Sequence, residues 1–267
     1  MTYNSFMQKP NYQPSTDLQR QYALNERCLD EKVVLITGAT GGMGTCLSKA
    51  CAAAGATVVL ASRKVKKLEK LYDALVDSGA ATPAIVPLEQ DKAGPADYAG
   101  IADMLEQEFG KIDALVHTAA ELGTPTPQMA IEHAEWVRLM GVNLTSARLL
   151  SLYCQPLLAQ SSLASLVFLL DHKPGAYWGT YGVSKQAVQT LMHMLADETE
   201  GNRDEQGHPV IAINGYDPGP MRTPLRRRAF PGELERETAL PEERLGPLLS
   251  LITRQEREKT GAAVSYD

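Results

Sequence analysis

Tyr181 and Lys185 stand four residues apart in a stretch of helical period, Y-G-V-S-K, with Ser184 between them. One helix face would therefore carry both a phenol and an ammonium. A nearby ammonium stabilises phenolate and lowers the tyrosine pKa towards neutrality, which suits a tyrosine that gives and takes protons. Alone, this spacing is common on solvated helix faces. Ten residues earlier an apolar run, S-L-V-F-L-L (165–170), stops on Asp171. Ionised, Asp171 can only accept hydrogen bonds and would oppose Lys185 by raising the Tyr181 pKa. Protonated, it could donate one. Three roles stay open: a structural cap that pairs with Lys173 or Lys185, a hydrogen-bond donor to substrate, or a partner for a cationic group.

A second cluster suits binding rather than proton transfer. T-G-A-T-G-G-M-G, Thr37 to Gly44, follows the apolar run V-V-L-I and precedes an apolar helical segment. Glycines let the backbone turn tightly and approach a pyrophosphate, and the helix N-terminus offers free N–H groups and a positive dipole. Gly38, Thr40, Gly41, Gly42, Met43 and Gly44 are the candidate contacts. After the next apolar run come Ser62, Arg63 and Lys64. A site selective for NAD would place an acidic residue there to hold the ribose hydroxyls. A hydroxyl followed by two cations fits a 2′-phosphate instead, so NADP(H) is favoured over NAD(H). The competing reading is a solvated basic helix start, because K-V-K-K continues the charge run.

The elements that must hold these groups alternate. Apolar runs at 33–37, 56–61, 83–88, 112–117, 165–170 and 209–215 read as strands. Segments of helical spacing at 43–54, 64–77, 98–109, 131–158 and 177–198 lie between them. Strands apolar on both faces, separated by helices, signal βαβ units and a parallel sheet covered on both sides. The fold class expected is α/β, a three-layer, doubly wound parallel sheet of the Rossmann type in a single domain. Residues 1–30 read as an arm or tail that could wrap on a partner subunit. Residues 31–267 form the domain, with an irregular helical insert at about 221–255 and a last short strand at 262–266.

Bulk composition narrows the rest. The chain has 267 residues, 44% hydrophobic and 22% charged, as an ordinary globular protein does. A net charge of −6 leaves no basic surplus to neutralise phosphates, so nucleic acid is not expected as a partner. No apolar stretch approaches the ~18 residues of a membrane span, and the N-terminus lacks a signal-peptide core. Cys28, Cys46, Cys51 and Cys154 show no metal-binding spacing, so reduced thiols, no metal and a cytoplasmic location are expected.

Together these motifs resemble the short-chain dehydrogenase/reductase family over about residues 31–266. The glycine turn looks like the family's T-G-x-x-x-G-x-G, and Tyr181-x-x-x-Lys185 looks like its catalytic pair. D-P-G-P-M-R-T (217–223) looks like its P-G segment, which implies cofactor contacts at Pro218 and Gly219 and a nicotinamide anchor at Thr223. V-N-L-T places Asn143 where the family's active-site asparagine holds a relay water. The tail of the chain and the H-T-A-A variant look closest to a bacterial subgroup of poorly characterised oxidoreductases.

Three departures bear on function. Where the family usually has N-N-A-G, this chain has His117, Thr118, Ala119 and Ala120, and the Ala120 methyl would lie near the adenosine ribose. His117 is read as supporting backbone at a strand end rather than as catalytic. Leu170 and Asp171 occupy the two serine places at the end of the fifth strand, so the serine that hydrogen-bonds the substrate carbonyl is missing. Gly41 stands where NADP-using members often carry a basic residue. The resemblance implies an NAD(P)(H)-dependent oxidoreductase acting on a small-molecule carbonyl or alcohol, with Tyr181 as acid/base, Lys185 and Asn143 assisting, and a homodimer or homotetramer. The alternative is a non-catalytic or regulatory dinucleotide-binding protein. Tyr177 and Trp178 could line a substrate pocket or pack on a neighbouring subunit.

Overall fold

A computed structural model describes residues 12–25 and 27–266. Its core strands are β2 (Val33–Thr37), β3 (Thr57–Ser62), β4 (Ala84–Pro87), β5 (Ala114–His117), β6 (Ala164–Leu169), β7 (Ile211–Asp217) and β8 (Ala263–Ser265). With β1 (Tyr12–Pro14) they make one eight-stranded sheet, all pairings parallel, in the order β1-β8-β7-β6-β5-β2-β3-β4. The order reverses at β2, which pairs β3 on one side and β5 on the other. Such a switch point opens a crevice at the carboxyl ends of the strands.

Continuous apolar strands are explained by cover on both faces. Val33 and Leu35 belong to one buried cluster and Val34 and Ile36 to the other. The first cluster includes residues of α4 (Pro95–Phe109), α6 (Ser146–Ala159) and α7 (Gly179–Glu198). The second includes residues of α2 (Gly42–Ala53), α3 (Val65–Asp77) and α9 (Gly246–Ile252). The three-layer arrangement expected from sequence is the one present.

The segment expected over 131–158 as one helix is divided. α5 (His133–Met140) runs into a single π-helical turn, Gly141–Thr145, before α6 begins. A π-turn leaves the local hydrogen-bond ladder irregular and often marks a functional position. Asn143 lies in it.

Of the expected arm, Tyr12–Pro14 pair with this chain's own sheet. Tyr12 pairs with Ala263, and Ser15 Oγ donates to the Tyr266 carbonyl at 2.9 Å. A short helix α1 (Asp17–Arg20) follows, and Gln19 Nε2 donates to Glu256 at 2.6 Å. Residues 1–11, Glu26 and Asp267 lie outside the described part. The 221–255 stretch contains α8 (Pro224–Ala229), two 3₁₀ turns at 235–237 and 241–244, and α9. Among the described residues no helix is long and apolar enough to cross a membrane, and no acidic, His or Cys cluster could hold a metal ion.

Candidate active site

A cleft of about 380 Å³ opens along the carboxyl ends of the strands, a size ordinary for small-ligand sites. One wall is the glycine turn between β2 and α2. Gly38 has φ +65°, and a Cβ there would stand 2.6 Å from the Ala119 Cα. The turn therefore lies flat on the loop after β5, which only glycine permits. Gly41, the residue before α2, supplies no side-chain cap to the first-turn N–H groups. Uncapped donors facing a glycine-rich cleft fit the pyrophosphate of a dinucleotide. Gly38, Thr40, Gly41, Gly42 and Met43 line the cleft, whereas Gly44 packs behind them.

Ser62, Arg63 and Lys64 line the same wall at the end of β3. The Ser62 and Thr40 hydroxyls are 2.8 Å apart, tying this corner to the glycine turn. Arg63 donates to Glu121 at 3.1 Å, and Glu121 also pairs with Arg138. The Arg63–Glu121 pairing was not expected. It joins a strand end to a loop 58 residues later and has no local sequence signal.

Thr118, Ala119 and Ala120 form the floor beside the glycine turn. Thr118 Oγ1 donates to the Thr37 carbonyl at 2.6 Å. His117 points away from this surface. It is buried, stacked on Phe168 at 4.9 Å, with Nε2 at 2.9 Å from the Ser151 hydroxyl. Burial, assisted by the Lys185 charge, lowers its pKa to about 3, so it is a neutral structural ring. An unfolded His117 binds a proton below about 6.5, whereas the folded one does not until near 3, so stability falls as pH drops through that window. Between pH 7 and near pH 5 this group alone should remove about 2 kcal/mol of stability. Urea unfolding of the parent and of His117→Gln should show it, the parent losing more than the variant over that interval. Equal losses would contradict it.

Asn143 does not line the cleft. Its Oδ1 accepts from the Glu121 N–H at 2.8 Å, and its Nδ2 donates to the Glu121 carbonyl at 3.0 Å and to Ser184 Oγ at 3.0 Å. Ser184 in turn donates to the Tyr181 carbonyl at 2.8 Å. The π-turn thus clasps the loop after β5 and the first turn of α7. The side chain of Asn143 is committed to the Glu121 backbone and the Ser184 hydroxyl, so a relay water would have to use other atoms.

Tyr181 and Lys185 are both buried on the cleft side of α7. Tyr181 Oη donates to Asp171 Oδ2 at 2.7 Å, and the other Asp171 oxygen pairs with Lys173. Of the two cations considered for Asp171, Lys173 is the one it engages. Lys185 Nζ donates to the Leu169 carbonyl at 2.8 Å and lies 5.9 Å from the centre of the Tyr181 ring. The expected lowering of the Tyr181 pKa by Lys185 is reversed here. Burial raises it well above the usual tyrosine value, and the Asp171 and Asp217 carboxylates raise it further. Burial also lowers the Lys185 pKa, against the pull of the same two carboxylates.

The remaining wall is Pro218, Gly219 and the start of α8. Gly219 N–H donates to Asp217 at 2.9 Å. Thr223 caps α8 by accepting from the Arg226 N–H at 3.1 Å. Its methyl covers the glycine turn, since a Cβ on Gly42 would stand 2.6 Å from Thr223 Cγ2. Trp178 lies 5.9 Å from Tyr181 and 5.8 Å from Phe230, closing the outer end of the cleft with aromatic surface. Tyr177, by contrast, is well exposed and does not line this cleft.

A parallel doubly wound sheet with a glycine-rich first turn at its switch point defines a dinucleotide-binding α/β protein. Residues 32–234 match the family model of the short chain dehydrogenases, and the chain belongs to that family of nicotinamide-dependent oxidoreductases. An uncharacterized oxidoreductase of Escherichia coli K12, YciK, is 28% identical over 254 residues, 94% of each chain. Among solved structures, a chain from Pseudomonas syringae assigned to the short chain dehydrogenases superposes with a TM-score of 0.87 at 33% identity. The match covers 92% of this chain and 98% of that one. A chain from Shigella flexneri with the same assignment, complexed with NADP, gives a TM-score of 0.85 at 27% identity, covering 91% and 99%.

Proposed function

We propose that this protein is an NADP(H)-dependent oxidoreductase that interconverts a small carbonyl compound and its alcohol. The observation that carries the reading is the burial of Tyr181 and Lys185 together at the end of β6, across the cleft from the glycine turn. Hydride supply or uptake at the carbonyl carbon is the chemistry a bound nicotinamide brings. The chain's own residues then have three tasks. Tyr181 exchanges a proton with the substrate oxygen. Lys185 provides the buried positive charge beside it. The glycine turn, with Thr118, Ala119, Ala120, Pro218, Gly219 and Thr223, holds the cofactor in place.

Preference for NADP(H) rests on Ser62, Arg63 and Lys64, and it is supported by the NADP complex of the Shigella flexneri chain. Half-exposed Arg63 is held at the cleft by Glu121, so a 2′-phosphate would meet a positioned guanidinium rather than a mobile one. A charge-assisted hydrogen bond of about 1.5–3 kcal/mol corresponds to roughly 10–100-fold in affinity. Arg63→Ala should weaken NADPH binding by that factor in a fluorescence titration and leave NADH binding nearly unchanged. Equal losses for both, or an NADH affinity above that for NADPH in the parent, would refute the assignment. NADPH binding without reduction of any carbonyl compound would favour a binding protein over an enzyme. Exposed Val137, Leu152, Val183 and Met194 on α5, α6 and α7 support pairing of these helices in a homodimer or homotetramer.

A further inference from the structure

We propose, resting on the oxidoreductase reading above, that Asp171 is the second member of a proton relay: it takes the Tyr181 proton as Tyr181 takes one from substrate, and returns it in the opposite direction.

Tyr181 Oη donates to Asp171 Oδ2 at 2.7 Å, while Lys173 holds the other carboxylate oxygen. Both oxygens are thereby oriented. The loop that carries Asp171 and Lys173 is pressed onto α7, because a Cβ on Gly182 would stand 2.4 Å from the Lys173 carbonyl oxygen. Packing, rather than side-chain chance, sets the distance between carboxylate and phenol.

The charges around this pair argue against a free phenolate. Tyr181 is buried and faces Asp171 on the loop after β6 and Asp217 at the end of β7. The cations near it are Lys173, bound to Asp171, and Lys185, bound to the Leu169 carbonyl. Tyr12 of β1 and His172 lie close by, their rings 6.4 Å apart, and Tyr12 also senses both carboxylates. Isolating a phenolate between two carboxylates would be costly, even with Lys185 present. A tyrosine that hands on its own proton while accepting another never becomes that phenolate.

The proton count closes. In oxidation the substrate O–H bond breaks and a new Tyr181 O–H bond forms. The original Tyr181 O–H bond breaks and an Asp171 Oδ2–H bond forms. The electron pair of the broken substrate O–H bond becomes the second carbon–oxygen bond as hydride leaves carbon for the oxidised nicotinamide that the proposed function supplies. The Asp171 side chain is 23% exposed and its partner Lys173 24%, so the proton can pass to water. Reduction runs these transfers backwards, with Asp171 refilled from solvent. Asp171 thereby stands where the family resemblance expects a serine but without that serine's role, since an ionised carboxylate accepts and cannot polarise a carbonyl.

Two measurements test this. In the cofactor-free protein, tyrosinate absorbance of Tyr181 is isolated by subtracting the Tyr181→Phe spectrum at each pH. Asp171→Asn, measured against Asp171→Asn/Tyr181→Phe, should ionise Tyr181 at lower pH than the parent does. Superimposable curves would overturn the coupling. Turnover is then followed by NADPH absorbance with benzaldehyde, cyclohexanone and diacetyl. Asp171→Asn should lose about 10²-fold or more in turnover and shift its pH profile, with Asp171→Glu recovering part. Parent-like turnover and profile in Asp171→Asn would overturn the relay alone. A parent protein that binds NADPH and reduces none of the three would sink the carbonyl-oxidoreductase reading, and the relay with it.

Discussion

Tyr181→Phe should lower carbonyl reduction by roughly 10²–10⁴-fold, the range a positioned proton-transfer group contributes. NADPH affinity should stay close to the parent value. The ring would remain where it is, because it is buried and packed on Trp178 at 5.9 Å. Only the hydroxyl is lost. Asp171 would lose one partner but keep Lys173, and its side chain is part-exposed, so water can replace the phenol. The stability change should therefore remain near the ~1 kcal/mol of an ordinary hydrogen bond. Turnover, titrated NADPH affinity and urea midpoints measured on one preparation separate these effects. A variant that keeps parent turnover would remove Tyr181 from the chemistry. A variant that also loses NADPH binding would show that the hydroxyl acts on the cofactor rather than on a proton.

The same residue shows where sequence reading runs out. Helical spacing put Tyr181 and Lys185 on one face, and α7 carries both. Spacing alone does not say which charges converge on the phenol. Asp171 reaches it because the loop after β6 folds back on Gly182, and Asp217 arrives from β7. Those are tertiary effects: burial of the phenol first, and then these two carboxylates, reverse the direction in which the local pair would shift the tyrosine. The strands were legible for the opposite reason. Apolarity on both faces is written into each strand and needs no knowledge of its neighbours.

Two further features divide along the same line. The interruption at Gly141–Thr145 falls within a continuous helical periodicity, so nothing in the pattern separates a π-turn from a regular one. Asn143 gains its partners only when the loop after β5 and α7 meet it. Likewise, residues 12–14 are too few and too polar to read as a strand. They become one because β8 offers an open edge, with Tyr12 beside Ala263. Pairing with an edge requires backbone groups rather than an apolar pattern.

Gly44→Ala carries the second large expected effect, and it falls on binding. Gly44 does not face the cleft. A Cβ there would stand 2.3 Å from the Gly38 carbonyl oxygen and 2.9 Å from the Ala39 Cα, both backbone atoms. No rotamer change relieves such a clash, so the turn must move away from α2. Overpacking of this kind costs about 1–3 kcal/mol. The moved atoms include those of Gly38, which already lies against Ala119 and cannot retreat further into the floor. The displacement is therefore directed into the cleft that is proposed to hold the pyrophosphate. NADPH affinity should fall by about 10²-fold, the equivalent of about 3 kcal/mol. Gly100→Ala on α4 supplies the contrast. A Cβ there meets nothing within 4 Å, and the residue sits inside a regular helix. That substitution should stabilise the protein by about 0.5–1 kcal/mol and leave NADPH binding unchanged. If Gly44→Ala bound NADPH as the parent does while unfolding more easily, the turn would be a stability element and the cofactor would have to lie elsewhere in the cleft. If both variants behaved alike, close approach at Gly44 would not be what shapes the site.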